Sequence, residues 1–135
     1  MEWMREDGYS ISTDKQRLDI DYTYHWLSEQ SYWAQGRSRE VVEQSIANSL
    51  CFGLYHGDKQ VGFARVVTDL ATFGWLCDVF VDESERGHGL GKWLIQTLVN
   101  HPDMARLRRL LLATRDAHEL YRNYGGFEML GSPER

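Results

Sequence analysis

Hydrophobic and polar positions change period several times along the chain, and each change marks an element. The stretch YSISTD, residues 9–14, alternates apolar and polar residues and stops at turn formers, which predicts a short strand. LDIDYTYHWLSEQSYW follows, with Ile20, Tyr24, Leu27 and Ser31 at helical spacing, and Gly36 interrupts it. SREVVEQSIANSL predicts a second helix with Ser38 as N-cap and Val41, Val42, Ser45 and Ile46 on one face. LCFGLYHGDKQVGFARVVTD reads as two strands around a tight Gly57-Asp58 turn, and TFGWLCDVFVD as a third. Leu90, Trp93, Leu94 and Leu98 then lie at i, i+3, i+4 and i+8, an amphipathic helix that Pro102 ends. LRRLLLAT predicts a buried strand, RDAHELYRNYGG a short helix capped by Asp116, and FEML a last edge strand. The opening MEWMREDGYS is polar apart from Trp3 and the methionines, and part of it reads as a loose leader before the first strand. The order predicts a mixed α/β sheet with helices on its faces, and no repeat interrupts it.

With 135 residues, 42% of them hydrophobic, the chain can bury one core and has no room for two, so a single domain spanning 1–135 is expected. Fifteen Lys and Arg against twenty Asp and Glu give a net charge of −5, which offers no basic field for nucleic acid. Cys51 and Cys77 stand far apart, and His25, His56, His88, His101 and His118 form no cluster with them at metal-ligand spacing. Neither a metal site nor a disulfide framework is expected. Because no apolar run approaches the roughly 18 residues that span a bilayer, no membrane partner is expected either. The default is a soluble cytoplasmic protein.

Chemistry concentrates at VDESERGHGLGKW, residues 81–93, where glycines at 87, 89 and 91 separate a strand from a helix start. The first N–H groups of a helix lack intrahelical partners and carry the positive end of its dipole, so such a loop is suited to an anion. Two phosphate-binding patterns fail on particular residues. A dinucleotide fingerprint beginning at Gly87 and Gly89 needs glycine where Lys92 stands. A P-loop needs glycine where Arg86 stands and Ser or Thr where Trp93 stands.

The loop instead resembles the R-G-x-G-x-G/A pyrophosphate loop of the GNAT superfamily of N-acetyltransferases, and DAHELYRNYGGF is similar to that family's second signature, an L-Y pair followed by G-F. The two occur in the family's order. The resemblance implies a single GNAT-like domain, a central mostly antiparallel mixed sheet with helices on both faces, and acetyl-CoA as cofactor. It implies that backbone amides of Arg86, Gly87, His88, Gly89, Leu90 and Gly91 surround the pyrophosphate, with charge from Arg86 and either assistance from Lys92 or its exposure to solvent. Main-chain groups of Phe80 and Val81 would bind the acetyl carbonyl and pantetheine. Thr114 and Asp116 would line the channel's other wall, Asp116 being first of all an N-cap.

Acetyl transfer to an amine needs a neutral nitrogen, stabilisation of the developing oxyanion and a home for the departing thiolate. By resemblance, Tyr121 stands at the family's tyrosine beside the thioester sulfur, with Tyr124 a lesser rival because the chain has an extra glycine before Phe127. A phenol of pKa about 10 protonating a thiolate whose acid has pKa about 8.5 runs uphill by roughly 2 kcal/mol, so Tyr121 would stabilise the thiolate as much as protonate it. The resemblance further implies a carboxylate base on the strand before the loop, where Asp78 is the only internal carboxylate and Cys77 occupies the place of a glutamate used by some polyamine acetyltransferases. Regular alternation puts Cys77 and Asp78 on opposite faces unless a bulge intervenes, so one of the two is expected to face substrate.

The acceptor would sit against the first two helices, where Tyr22, Tyr24, Trp26, Tyr32 and Trp33 crowd within a dozen residues. Aromatics enclose an ammonium, whereas Arg37 selects a carboxylate-bearing acceptor. Trp33, Arg37, Tyr24 and Cys77 are the candidate acceptor residues. The expected reaction is direct transfer to a small-molecule amine. A non-catalytic acyl-CoA-binding module and a protein-lysine acetyltransferase are the alternatives, and a homodimer is left open.

Overall fold

A computed structural model describes residues 1–31 and 35–112 of the chain. Six strands form one sheet in sequence order: β1 (Glu2–Met4), β2 (Tyr9–Ser12), β3 (Leu50–His56), β4 (Lys59–Thr68), β5 (Phe73–Val81) and β6 (Arg109–Leu112). Every neighbouring pair is antiparallel except β5 and β6, which run parallel. Helices α1 (Ile20–His25) and α2 (Arg39–Ala47) pack on one face, and α3 (Leu90–Asn100) with the single turn α4 (Pro102–Ala105) on the other. The expected mostly antiparallel mixed sheet with helices on both faces is the observed architecture. The helix and edge strand expected over 115–130 lie outside the described residues.

Each face has its own core. On the α3 face, Ile11, Phe52, Leu54, Val66 and Leu76 meet Leu90, Leu94, Ile95 and Leu98 of α3. On the α2 face, Phe63 and Phe80 meet Trp26, Leu27, Val42 and Ile46. Burying each such side chain stabilises the fold by about 1.5–3 kcal/mol, so these two layers fix where the strand ends lie. Buried Gln60 ties α1 to the sheet, since its Oε1 accepts from the Asp19 N–H at 2.7 Å and its Nε2 donates to Thr23 Oγ1 at 3.0 Å.

Several elements came out as the pattern predicts. Gly57 and Asp58 form a two-residue hairpin turn between His56 and Lys59, Gly57 supplying the positive φ of 61°. Ser38 caps α2 by accepting from the Val41 N–H at 3.2 Å.

Others differ, each for a physical reason. The leader is not loose: β1 pairs with β2, and Trp3 packs beside Phe52 and His101, which gives this polar stretch an anchor. The long helix expected from residue 18 is a six-residue α1 followed by a wide π turn, Trp26–Gln30. Thr23, Ser28 and Ser31 each turn a hydroxyl back onto the carbonyl four residues earlier, and the Ser31 N–H bonds five residues back to Trp26. On α2 only Val42 and Ile46 are buried, while Val41 is 53% exposed. Pro102 ends α3 and also starts α4 from its first position, where a missing N–H is harmless.

The junction of β4 and β5 is close-packed. A Cβ on Gly62 would meet the Phe80 carbonyl oxygen at 2.9 Å and Leu54 Cδ2 at 2.8 Å. Gly62→Ala must therefore push two strands apart, and we expect it to lower stability in urea by about 1–3 kcal/mol. An unchanged unfolding midpoint would show that the strands yield without penalty.

Candidate active site

The site is built where β5 leaves the sheet. The register pairs Phe63 with Phe80 and Arg65 with Cys77, so two residues of β5, Asp78 and Val79, oppose one residue of β4. Asp78 adopts φ 55°, a left-handed conformation that aspartate tolerates better than most residues. The bulge intervenes where regular alternation would have separated Cys77 from Asp78. Both now lie on the α2 face of the sheet, the face Arg65 shares, which is the exception that the sequence reading allows for a bulge.

Asp78 is the centre of an ion cluster. Its side chain is 1% exposed, and Oδ2 accepts from Arg37 Nη1 at 2.7 Å and from Arg65 Nε at 2.8 Å. Arg65 Nη1 also donates to Ser49 Oγ at 3.0 Å. Burial pushes the Asp78 carboxyl up, but the hydrogen bonds and charges of Arg37 and Arg65 outweigh it and hold the group below the ordinary carboxylate value. A carboxylate so held is a weak base. Arg37 and Arg65 remain 21% and 12% exposed, so the cluster presents cationic edges rather than a sealed core pair. Cys77 beside it is half-buried, and burial raises its thiol to about 11.

From Val81 the chain passes Asp82, a single turn Glu83–Glu85, Arg86 and the glycines before α3 begins at Leu90. Gly87 and Gly89 carry φ of 92° and 70°, the second as N-cap of α3. A Cβ on either would meet nothing within 4 Å, so these glycines serve backbone shape and leave open space above the loop. The first turn of α3 contains no acid, and Arg86, His88 and Lys92 are exposed around it. This is a fit for a diphosphate: an open loop backbone beyond Arg86, whose own N–H donates to the Glu83 carbonyl at 3.3 Å, a long helix's positive end, and the charges of Arg86 and Lys92. The acids upstream are engaged elsewhere. Asp82 accepts from Ser84 and from the Tyr22 hydroxyl at 3.0 Å, and Glu85 accepts from the Tyr9 hydroxyl at 2.7 Å and lies 3.2 Å from His56 Nδ1.

The other expected residues fall as follows. Phe80 is buried and stacks on Trp26 at 4.1 Å, and Val81 is half-buried, which leaves their main chain as the part able to act on a ligand. Tyr24 is half-buried and packs against the α2-face core. Trp26 and Tyr22 are claimed by contacts with Phe80 and Asp82, which accounts for part of the aromatic density in this segment. Trp33, Tyr32, Thr114, Asp116, Tyr121 and Tyr124 lie outside the described residues. Sequence reasoning missed Arg65, although a charge at the inward position between Phe63 and Val67 was a signal for a buried partner. It also missed Arg5, whose Nη2 donates to the His88 carbonyl at 3.1 Å across 83 positions, a separation that gives no local signal. Among the described residues no group of His, Cys, Asp and Glu could hold a metal, and no helix is long and apolar enough to cross a membrane.

Comparison with known proteins agrees with this geometry. The profile of the acetyltransferase (GNAT) family matches residues 20–127. A protein assigned as an acetyltransferase in Gibberella zeae is 32% identical over 88% of this chain and 78% of its own length. A crystal structure from Xanthomonas campestris, of a protein assigned to the GNAT family, is 44% identical and superimposes with a TM-score of 0.86 over 90% of this chain and 86% of that one. An acetyltransferase assigned in Clostridium acetobutylicum, solved with acetyl-CoA, shares the fold at 13% identity, with a TM-score of 0.65 over 98% of this chain and 93% of its own. The family's cofactor is acetyl-CoA. Matched over most of its length by the family profile and by relatives of high identity, the chain belongs to the acetyltransferase (GNAT) family.

Proposed function

We propose that this chain, acting as a single domain, transfers the acetyl group of acetyl-CoA directly to the amine of a small molecule that also carries an anionic group. The observation that carries the reading is the placing of an open glycine loop, at the start of α3, directly after a strand whose bulge gathers Arg37, Arg65 and Asp78. The backbone amides of Gly87, His88, Gly89, Leu90 and Gly91 would hold the pyrophosphate, with charge from the side chains of Arg86 and Lys92; the Arg86 amide, expected among them, already donates to the Glu83 carbonyl. Main-chain groups of Phe80 and Val81 and the Thr114 side chain would flank the pantetheine. The bound coenzyme supplies an activated acetyl thioester.

The chain's own residues do the remaining work. Among the described residues two guanidiniums face one carboxylate at Asp78, which gives these three groups a net positive charge. That charge attracts an anionic group on the acceptor and lowers the pKa of a nearby ammonium, which favours the neutral amine that must attack. Asp78, expected from the sequence to take the amine's proton, is better suited to positioning Arg37 and Arg65, because a carboxyl held below its ordinary value binds a proton poorly. Cys77 stays protonated at neutral pH with its thiol raised to about 11, which favours direct transfer over an acetylated cysteine. Trp33 and Tyr24 would complete the acceptor wall, and Tyr121 would donate a hydrogen bond to the departing thiolate.

Thiol release from acetyl-CoA should be fastest with small amines bearing a carboxylate or phosphate. Coenzyme binding without turnover on any amine or peptide would leave a non-catalytic acyl-CoA-binding module, and turnover confined to lysine peptides would move the acceptor to protein. Tyr121→Phe is expected to lower kcat by about tenfold or more with the affinity for CoA kept, as for other single groups that act on a proton in flight. An unchanged kcat would remove Tyr121 from the mechanism. Asp78→Asn should raise the acceptor KM several-fold while the pH at which kcat/KM falls on the acid side stays in place. A lost acid limb with an unchanged KM would return the role of base to Asp78.

A further inference from the structure

The family profile begins at residue 20, yet two residues before it reach the glycine loop and the turn that leads into it. Both come from the β1–β2 hairpin. Arg5 donates from Nη2 to the His88 carbonyl at 3.1 Å, and Tyr9 donates from its hydroxyl to Glu85 at 2.7 Å. The two bonds bracket Arg86 and Gly87. We infer that Arg5 is a positioning residue for the coenzyme loop: it fixes the His88–Gly89 peptide so that the Gly89 N–H is presented to the pyrophosphate. This inference rests on the reading of the loop as the coenzyme site.

Among the described residues there are no cis peptides, and in a trans peptide the C=O and the following N–H point in opposite directions. Holding the His88 oxygen toward Arg5 therefore turns the Gly89 N–H away from Arg5. Without that bond the unit can turn about ψ of His88 and φ of Gly89, since Gly89 carries a positive φ of 70° and a Cβ there would meet nothing within 4 Å. A cation on the carbonyl side also polarises the peptide and makes its N–H a better donor to an anion.

Arg5 is itself set in place beforehand. Asp7 accepts from its Nε at 3.2 Å and its Nη2 at 2.6 Å. Its guanidinium carbon lies 5.5 Å from the Tyr9 ring centroid and 5.1 Å from that of Trp93, which belongs to the first turn of α3. The guanidinium thus joins the hairpin, the loop and the helix start, and it arrives there with its conformational freedom already spent on native packing. Tyr9 is buried and stacks on His56 at 4.3 Å, so the second tether is equally fixed.

Calorimetric titration of CoA into the full chain and its variants, with steady-state kinetics alongside, tests this. Arg5→Ala should weaken CoA binding and raise the acetyl-CoA KM by about tenfold, the loss expected for one charge-assisted hydrogen bond, with acceptor KM and kcat at saturating acetyl-CoA unchanged. Arg5→Lys should recover part of the affinity, because an ammonium still donates to the carbonyl. Glu2→Ala is the control for general loosening of the hairpin, since it breaks the Arg17–Glu2 pair at 2.7 Å without touching the loop. Unaltered CoA affinity in Arg5→Ala, or an equal loss in Glu2→Ala, would overturn the inference and leave the coenzyme site standing. Failure of the unsubstituted protein to bind CoA would instead remove the coenzyme reading and this inference with it.

Discussion

Between Phe63 and Arg65 β4 has a single residue, while β5 sets Asp78 and Val79 against it, and this mismatch decides what each face of the sheet receives. Regular alternation from Leu76 would send Asp78 and Phe80 to the α3 face, placing a carboxylate in an aliphatic layer with nothing there to pair it. With the extra residue inserted, Val79 and Val81 take the α3 face, and Asp78 and Phe80 turn to the α2 face. Phe80 then stacks on Trp26 and holds the π turn against the sheet, and Asp78 meets Arg37 and Arg65. The left-handed backbone at Asp78 is a local strain of order 1 kcal/mol, and the ion cluster that it permits offsets it. One residue in one strand therefore sets the packing of α1 and α2 and the electrostatics around Asp78 together.

A chain of net charge −5 that handles a polyanionic coenzyme must solve the problem locally. The solution is made from backbone more than from side chains. Amides at a helix start add no net charge, and the first turn of α3 carries no acid to oppose them. Asp82, Glu83 and Glu85 precede the loop closely enough to repel an anion, and two of the three are occupied with donors: Asp82 with Ser84 and Tyr22, Glu85 with Tyr9. Hydrogen bonds of this kind disperse the carboxylate charge and fix where it lies.

The parts of this arrangement that could be read in the sequence are those with local causes. The Gly57-Asp58 hairpin, the Ser38 cap and the α3 stripe of Leu90, Leu94 and Leu98 each follow from residues within one turn or one ladder step of each other. The glycine loop was legible for the same reason, its spacing excluding two rival phosphate patterns on Lys92, Arg86 and Trp93 alone. Features with distant causes were hidden. β1 carries little apolar pattern because Trp3 alone anchors it, against Phe52 and His101, which lie far along the chain. The bulge left no mark because WLCDVFV scans as an unbroken strand and the left-handed residue is aspartate rather than glycine. The π turn depends on hydroxyls that favour carbonyls behind them, a competition that periodicity does not register.

On the proposed reading, the two halves of the site are fixed by separate devices, and this bears on how such a fold changes its chemistry. Coenzyme-side geometry is held from the N-terminal hairpin, through Arg5 on His88 and Tyr9 on Glu85. Acceptor-side charge is held from the segment before α2, through Arg37 on Asp78, and from β4 through Arg65. Groups without a common partner contribute nearly independently, so substitution at Arg37 can alter the acceptor while the coenzyme grip is kept. Asp78 and the loop are nonetheless joined by three residues of β5, whose Phe80 and Val81 are pinned by stacking on Trp26 and pairing with β4. A rigid segment this short transmits position rather than energy: in the proposed reaction it would set where the acceptor meets the thioester, and leave the affinity of each side to its own residues.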